Sequence, residues 1–225
     1  RARAEQVDEE RRHSQQTAEL YRAVTEALAL AIEAKDENIE GHLQRVQHHC
    51  RRIGKRLGLP SSEMEALQAA AWLHDIGKIA VPEAILNKPG RLTEEEFKVM
   101  KAHPELGHVM LRGREELPAE SLDIVLHHHE RLDGRGYPHG LIGPNINRLT
   151  KIVSIVDVYD AITSDRAYHD AMSPATALKN MYSWAPNNFE PELIEAFIRC
   201  IGIYPVGSLV QLNTQEVGII VATNE

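Results

Sequence analysis

The sequence is poor in cysteine, poor in aromatic side chains and without any long apolar run. Its two cysteines, Cys50 and Cys200, are isolated. That excludes a disulfide framework and a thiolate zinc finger, and it fits a reducing compartment, expected to be the cytoplasm. No stretch approaches the ~18 consecutive apolar residues of a membrane span, and nothing reads as a signal peptide. A basic excess is missing too. The formal net charge of −8 argues against a surface for DNA or RNA polymers. A small anionic substrate stays compatible, because bound dications reverse the charge inside a pocket.

What is present is helical apolar content and histidine. Apolar residues make up 43% of 225 positions, mostly Leu, Ile, Val and Ala, which suits packed helices. Twelve histidines are many for this length, and several fall in tight groups. Residue 1 is Arg rather than Met, so the sequence is expected to be part of a longer chain. Residues 1–35 read as one helix, exposed at first, with Leu20, Val24, Ala27, Leu28, Ala31 and Ile32 at helical offsets. Residues 1–19 are expected to be a linker helix, of signalling coiled-coil type, from an upstream sensor domain; residues 20–225 are expected to be the functional domain.

Further helices are expected over 40–58, 62–73, a turn at 82–86, then from Thr93 to just before His103, and over 104–113 and 119–129. Thr93 followed by three glutamates is a capping signal. Residues 130–148 hold so much Gly and Pro that a long irregular loop is expected, and such loops are often functional. Helices at 149–163, 174–183 and 190–201 follow. The chain closes on a loose alternation over 207–222, read as a β-hairpin turning near Asn213–Gln215.

Candidate ligands are scattered across these helices. His74-Asp75 ends one, His103 opens another, His128 and His129 close a third, His42 sits near a helix start, and Asp157 lies inside an apolar helix. A carboxylate can bridge two cations with its two oxygens while an imidazole binds one, so the His-Asp pair suggests a two-metal site. Asp157 needs a partner, since an unpaired buried carboxylate is costly. Mixed His and carboxylate donors suit Fe, Mn or Zn. His42 alone is a weak signal. His48 and His49 read as structural or exposed, and His13 and His139 as solvated.

Together these residues match a known pattern. His74-Asp75 with Lys78, His103-Pro104-Glu105-Leu106-Gly107, and the run from His128-His129-Glu130 to Gly136-Tyr137-Pro138 closely resemble the HD-GYP domain, a branch of the HD metal-dependent phosphohydrolases. The likeness extends to Gly41-His42 with Arg45, to Asp157, to Thr163-Ser164-Asp165-Arg166-Ala167-Tyr168 and to Tyr204-Pro205-Val206-Gly207, so it covers about residues 20–222. It implies an all-α, HD-type helical bundle with a small C-terminal β-hairpin. It implies hydrolysis of 3′,5′-cyclic di-GMP through linear pGpG, and in the family often on to GMP. It also implies two divalent metal ions, Fe or Mn, that activate water for in-line attack. By the family pattern His42, His74, Asp75 and Asp157 hold one ion, and Asp75 bridges to a second held by His103, His128 and His129. Asp75 and Lys78 are then catalytic, and Lys78, Tyr137, Arg166 and His169 meet the substrate.

Two departures stand out. Where some members carry a Glu that binds a third metal, this sequence has Asn38. Where the family has a basic residue after Asp-Arg-x-Tyr, it has His169 and Asp170. These leave room for a second class of function, a low-turnover module that binds cyclic dinucleotide or a protein. The partners implied are cyclic di-GMP, the upstream sensor, a diguanylate cyclase, and a second copy paired through the N-terminal helix.

Overall fold

A computed structural model describes residues 2–36, 41–114, 116–165, 170–202 and 209–222. Its helices are α1 (Ala2–Glu33), α2 (His42–Arg56), α3 (Ser61–Leu73), α4 (Glu83–Leu86), α5 (Glu94–Met100), α6 (His103–Leu111), α7 (Ala119–His127), α8 (Arg148–Thr163), α9 (Pro174–Asn188) and α10 (Pro191–Ile201). A 3-10 turn over Ile76–Ala80 follows α3. Two short strands, β1 (Leu209–Gln211) and β2 (Val217–Ile219), pair antiparallel with Val210 opposite Gly218. The all-α bundle with a terminal hairpin is thus as the sequence led one to expect.

Two elements differ from expectation. Helix α9 runs on through Pro186 to Asn188 instead of stopping near 183. A proline this close to a helix end forfeits one hydrogen bond, and Ala185, buried in the core, keeps the last turn docked. The 130–148 loop is not wholly irregular. An isolated bridge joins Asp133 to Ile142, and a 3-10 turn spans Gly143–Asn145.

The main core is built where α2, α3, α8, α9 and α10 meet, around Ile53, Leu67, Ile152, Ile155, Met181, Ile194 and Phe197. Full burial of each such side chain stabilises by about 1.5–3 kcal/mol. Gly54 lets α2 approach α3, since a Cβ there would lie 2.7 Å from the Met64 Cε. A second cluster, Leu73, Leu111, Leu117 and Val125, ties α3 to α6 and α7. These two clusters fix the ends of α3, α6 and α7 relative to α8. Helix α1 is continuous across residues 19 and 20. Its end is tied down: Glu33 accepts from the Leu43 amide at 2.9 Å, and Lys35 Nζ donates to the Ile79 and Val81 carbonyls at 3.0 and 2.7 Å.

His48 is exposed, while His49 is half-buried with its ring edge-on to Tyr159 and Phe197. Burial, reinforced by the neighbouring His48, lowers the His49 pKa to about 4. The unfolded chain therefore binds this proton first as pH falls. Its contribution to stability is complete above the ordinary value near 6.5 and is lost as pH falls to about 4. His49→Gln should flatten the fall of the thermal midpoint across that window relative to the parent, as calorimetry at stepped pH would read.

Candidate metal centre

His74 and Asp75 stand where α3 gives way to the 3-10 turn. His74 is still helical, but Asp75 has left the helix at φ −98° and ψ 7°. The break turns both side chains into one groove. Gly77 permits the next step: a Cβ there would collide with the His103 carbonyl oxygen and lie 2.6 Å from the Gly107 amide. The Ile76–Ala80 turn thus lies directly on the start of α6, and this brings His103 to Asp75. Helix α7 delivers His128 and His129 at its C-terminal end, α8 delivers Asp157, and α2 opens on His42.

The donors converge in two groups that meet at Asp75. One is His42, His74 and Asp157; the other is Asp75, His103, His128 and His129. Asp75 Oδ1 lies 3.2 Å from His103 Nε2 and 3.8 Å from His128 Nε2. Its Oδ2 lies 3.6 Å from His74 Nε2 and 3.9 Å from His42 Nε2. Each oxygen faces a different group. His42 Nε2 is also 3.6 Å from Asp157 Oδ1. Lys78 Nζ sits 2.8 Å from Asp75 Oδ2 and 3.5 Å from Asp36 Oδ2.

The outer nitrogens are already committed. His74 Nδ1 reaches the Ala71 carbonyl at 3.1 Å, His103 Nδ1 that of Met100 at 2.8 Å, and His128 Nδ1 that of Val125 at 2.9 Å. A carbonyl only accepts, so these bonds put the proton on Nδ1 and leave Nε2 as a lone pair. Yet His103 and His128 Nε2 face each other at 3.3 Å, as do those of His42 and His74. Facing lone pairs at that distance repel; a cation taking both relieves the repulsion. The residues therefore fit metal ions.

Electrostatics agree. Burial pushes His74 down to about 4, and it lowers His103 and His129 as well. These rings are neutral near pH 7, the form that ligates. Burial would raise Asp75, but the Lys78 cation 2.8 Å from its Oδ2 holds the carboxyl well below the usual range. His42 goes the other way: burial opposes its charge, but the Asp160 hydrogen bond and the Asp157 and Asp75 charges outweigh that and raise its pKa.

The sequence reading placed Lys78 and Tyr137 here, and both are present. Tyr137 stacks on His129, with ring centroids 4.7 Å apart and 27° between planes. Its amide donates to the His129 carbonyl at 3.2 Å. Arg166 and His169 lie outside the described residues, as does Asn38. His127, first of the three consecutive histidines, turns instead to Asp123 at 2.9 Å and His139 at 3.0 Å.

Two residues were missed. Asp160, only 2% exposed, accepts from His42 Nδ1 at 2.7 Å and from Arg45 Nε at 2.5 Å. Its signal was a second carboxylate three residues after Asp157 in an apolar helix. Glu130, 4% exposed, accepts from the His139 and Leu141 amides at 2.7 and 2.9 Å and so staples the Gly-Tyr-Pro loop to the end of α7.

Residues 26–193 match a family model described as HD domain. The chain is 44% identical over 168 residues to the Cyclic di-GMP phosphodiesterase PA4108 of Pseudomonas aeruginosa, covering 75% of this chain and 40% of that protein. It is 36% identical over 172 residues to the 3′3′-cGAMP-specific phosphodiesterase 2 of Vibrio cholerae, covering 76% of this chain and 33% of that protein. The chain thus spans less than half the length of these curated relatives. Among solved structures, Bd1817, a HDG"Y"P protein from Bdellovibrio bacteriovorus, has the same fold with a TM-score of 0.62 at 19% identity, covering 80% of this chain and 63% of that one. This chain belongs to the HD domain family. Within it, the Gly136-Tyr137-Pro138 motif packed against His129 makes it one of the HD-GYP type.

Gly77→Ala should force the turn off α6 and separate His103 from Asp75. The overpacking is expected to cost roughly 1–3 kcal/mol. Manganese bound per chain, measured by elemental analysis, should fall below the parent's value.

Proposed function

We propose that this chain is a metal-dependent phosphodiesterase that hydrolyses 3′,5′-cyclic di-GMP to linear pGpG and further to GMP. The observation that carries the reading is the shared Asp75 carboxylate, with one oxygen toward each histidine group and Lys78 against it. The names of the curated relatives support the reaction class and the cyclic-dinucleotide substrate.

His42, His74, Asp75 and Asp157 would hold one divalent ion, and Asp75, His103, His128 and His129 the other, with Fe and Mn as the favoured metals for this donor set. Bound ions supply Lewis acidity and a water acidified toward neutral pH. The chain supplies the rest. Burial opposes the charge on Asp75, but the adjacent Lys78 cation outweighs it and keeps the carboxyl ionised. Burial disfavours charge on Lys78, but the Asp75 and Asp36 carboxylates outweigh it and raise its pKa, so it remains a cation. That cation is placed to offset charge on a phosphoryl oxygen and to give a proton to the leaving 3′-oxygen. Tyr137 offers an aromatic face and a hydroxyl at the groove. Arg166 and His169 complete the substrate contacts in this reading.

Regulation fits the same frame. Leu20, Val24 and Leu28 form an exposed apolar row on α1, suited to a second copy or a sensor's helix. We take the chain to work in the cytoplasm, under an upstream sensor and beside a diguanylate cyclase.

Anaerobic turnover of cyclic di-GMP, with ferrous iron and with manganese in parallel, tests the reading, with Asp75→Ala as control and 3′3′-cGAMP as the competing substrate. Substrate should disappear with the parent and persist with the variant. A metal-loaded parent that leaves both dinucleotides intact would sink the enzyme reading and favour the binding module. Lys78→Met should keep its metal content yet lose on the order of 10²-fold in kcat.

A further inference from the structure

We propose that Asp160 is a positioning residue for the metal centre, holding His42 in the one tautomer and orientation that leaves Nε2 free to ligate. The inference rests on the metal-centre reading above and concerns a residue outside its ligand set.

His74, His103 and His128 anchor themselves. Each donates from Nδ1 to a carbonyl three residues upstream. His42, the first residue of α2, is held at Nδ1 by a side chain and not by a carbonyl of its own helix. Its anchor comes instead from α8, 118 residues away in sequence, through the 2.7 Å bond to Asp160 Oδ2. Asp160 is fixed in turn by Arg45 Nε at 2.5 Å and Nη2 at 3.1 Å, and the same Nη2 reaches Ser164 Oγ at 3.0 Å. The Arg45 guanidinium offsets the cost of burying this carboxylate.

Helix α8 therefore faces one imidazole on both sides but bonds only its Nδ1. Asp157 Oδ1 lies 3.6 Å from Nε2, on the metal side, and Asp160 lies behind Nδ1. Three residues apart, the two carboxylates share a helix face. Without Asp160 the proton could move to Nε2, which would remove the lone pair, and the ring could rotate away. Loss of a partner behind a ligating histidine typically costs 10–100-fold in metal affinity.

Two readouts test this. Manganese titration of Asp160→Ala by calorimetry should show one ion bound 10–100-fold more weakly and the other as in the parent. The double variant Asp160→Ala/His42→Ala should bind no more weakly than His42→Ala alone, because Asp160 acts through that ring. Independently of metal, ¹⁵N NMR of histidine-labelled apoprotein at pH 8 should show the Nδ1–H tautomer of His42 in the parent and a mixture of the two neutral tautomers in the variant. Asp160→Asn, which keeps the volume and an acceptor oxygen, serves if the alanine variant is unfolded, with a smaller loss of the same ion expected. Unchanged affinity for both ions, full additivity with His42→Ala, or an unchanged tautomer in a folded variant would overturn the proposal. A parent that binds no manganese would overturn the metal-centre reading, while the NMR result would still judge Asp160 as the anchor.

Discussion

One carboxylate organises this protein. Asp75 is buried, ionised and divided, with each oxygen turned toward a different set of imidazoles. Such an arrangement is unfavourable in isolation. It sets facing lone pairs 3.3 Å apart at two places and buries a negative charge whose nearest permanent cation is Lys78. The apolar clusters around α3 and α8 supply the stability that holds it. Cations bound there would return that cost as folding free energy, since donors arranged only in the native state couple metal binding to folding.

The Gly-Tyr-Pro loop shows how a segment without regular structure becomes a rigid wall. Glu130 gathers two loop amides onto one carboxylate. Gly136 lies so close to the Glu130 and Arg131 backbone that no Cβ fits. Tyr137 is thereby laid flat on His129 and shields one side of the donor set. Its position follows from hydrogen bonds and a close backbone approach rather than from hydrophobic packing.

Much of this was readable because the signals are local. His74-Asp75, His128-His129 and the loop after them are contiguous, and the helix ends that present them carry Gly, Pro and capping residues. His42 and Asp157 were readable mainly through resemblance, since a lone histidine on a helix has many explanations. Asp160 was not read because its role exists only in three dimensions. Sequence spacing put it beside Asp157 but could not say that it meets His42, 118 residues away. Glu130 was quoted as part of a motif without its task, which needs the folded loop. The extension of α9 past Pro186 shows tertiary packing overriding a local breaker.

The end of α1 has a mechanical consequence. Glu33 bonds the first turn of α2, Lys35 just beyond the helix bonds carbonyls at and just past the turn that carries Lys78, all at 2.7–3.0 Å, and Asp36 touches Lys78 itself. Any displacement along α1 must therefore stretch or break contacts that run directly to the turn carrying Lys78.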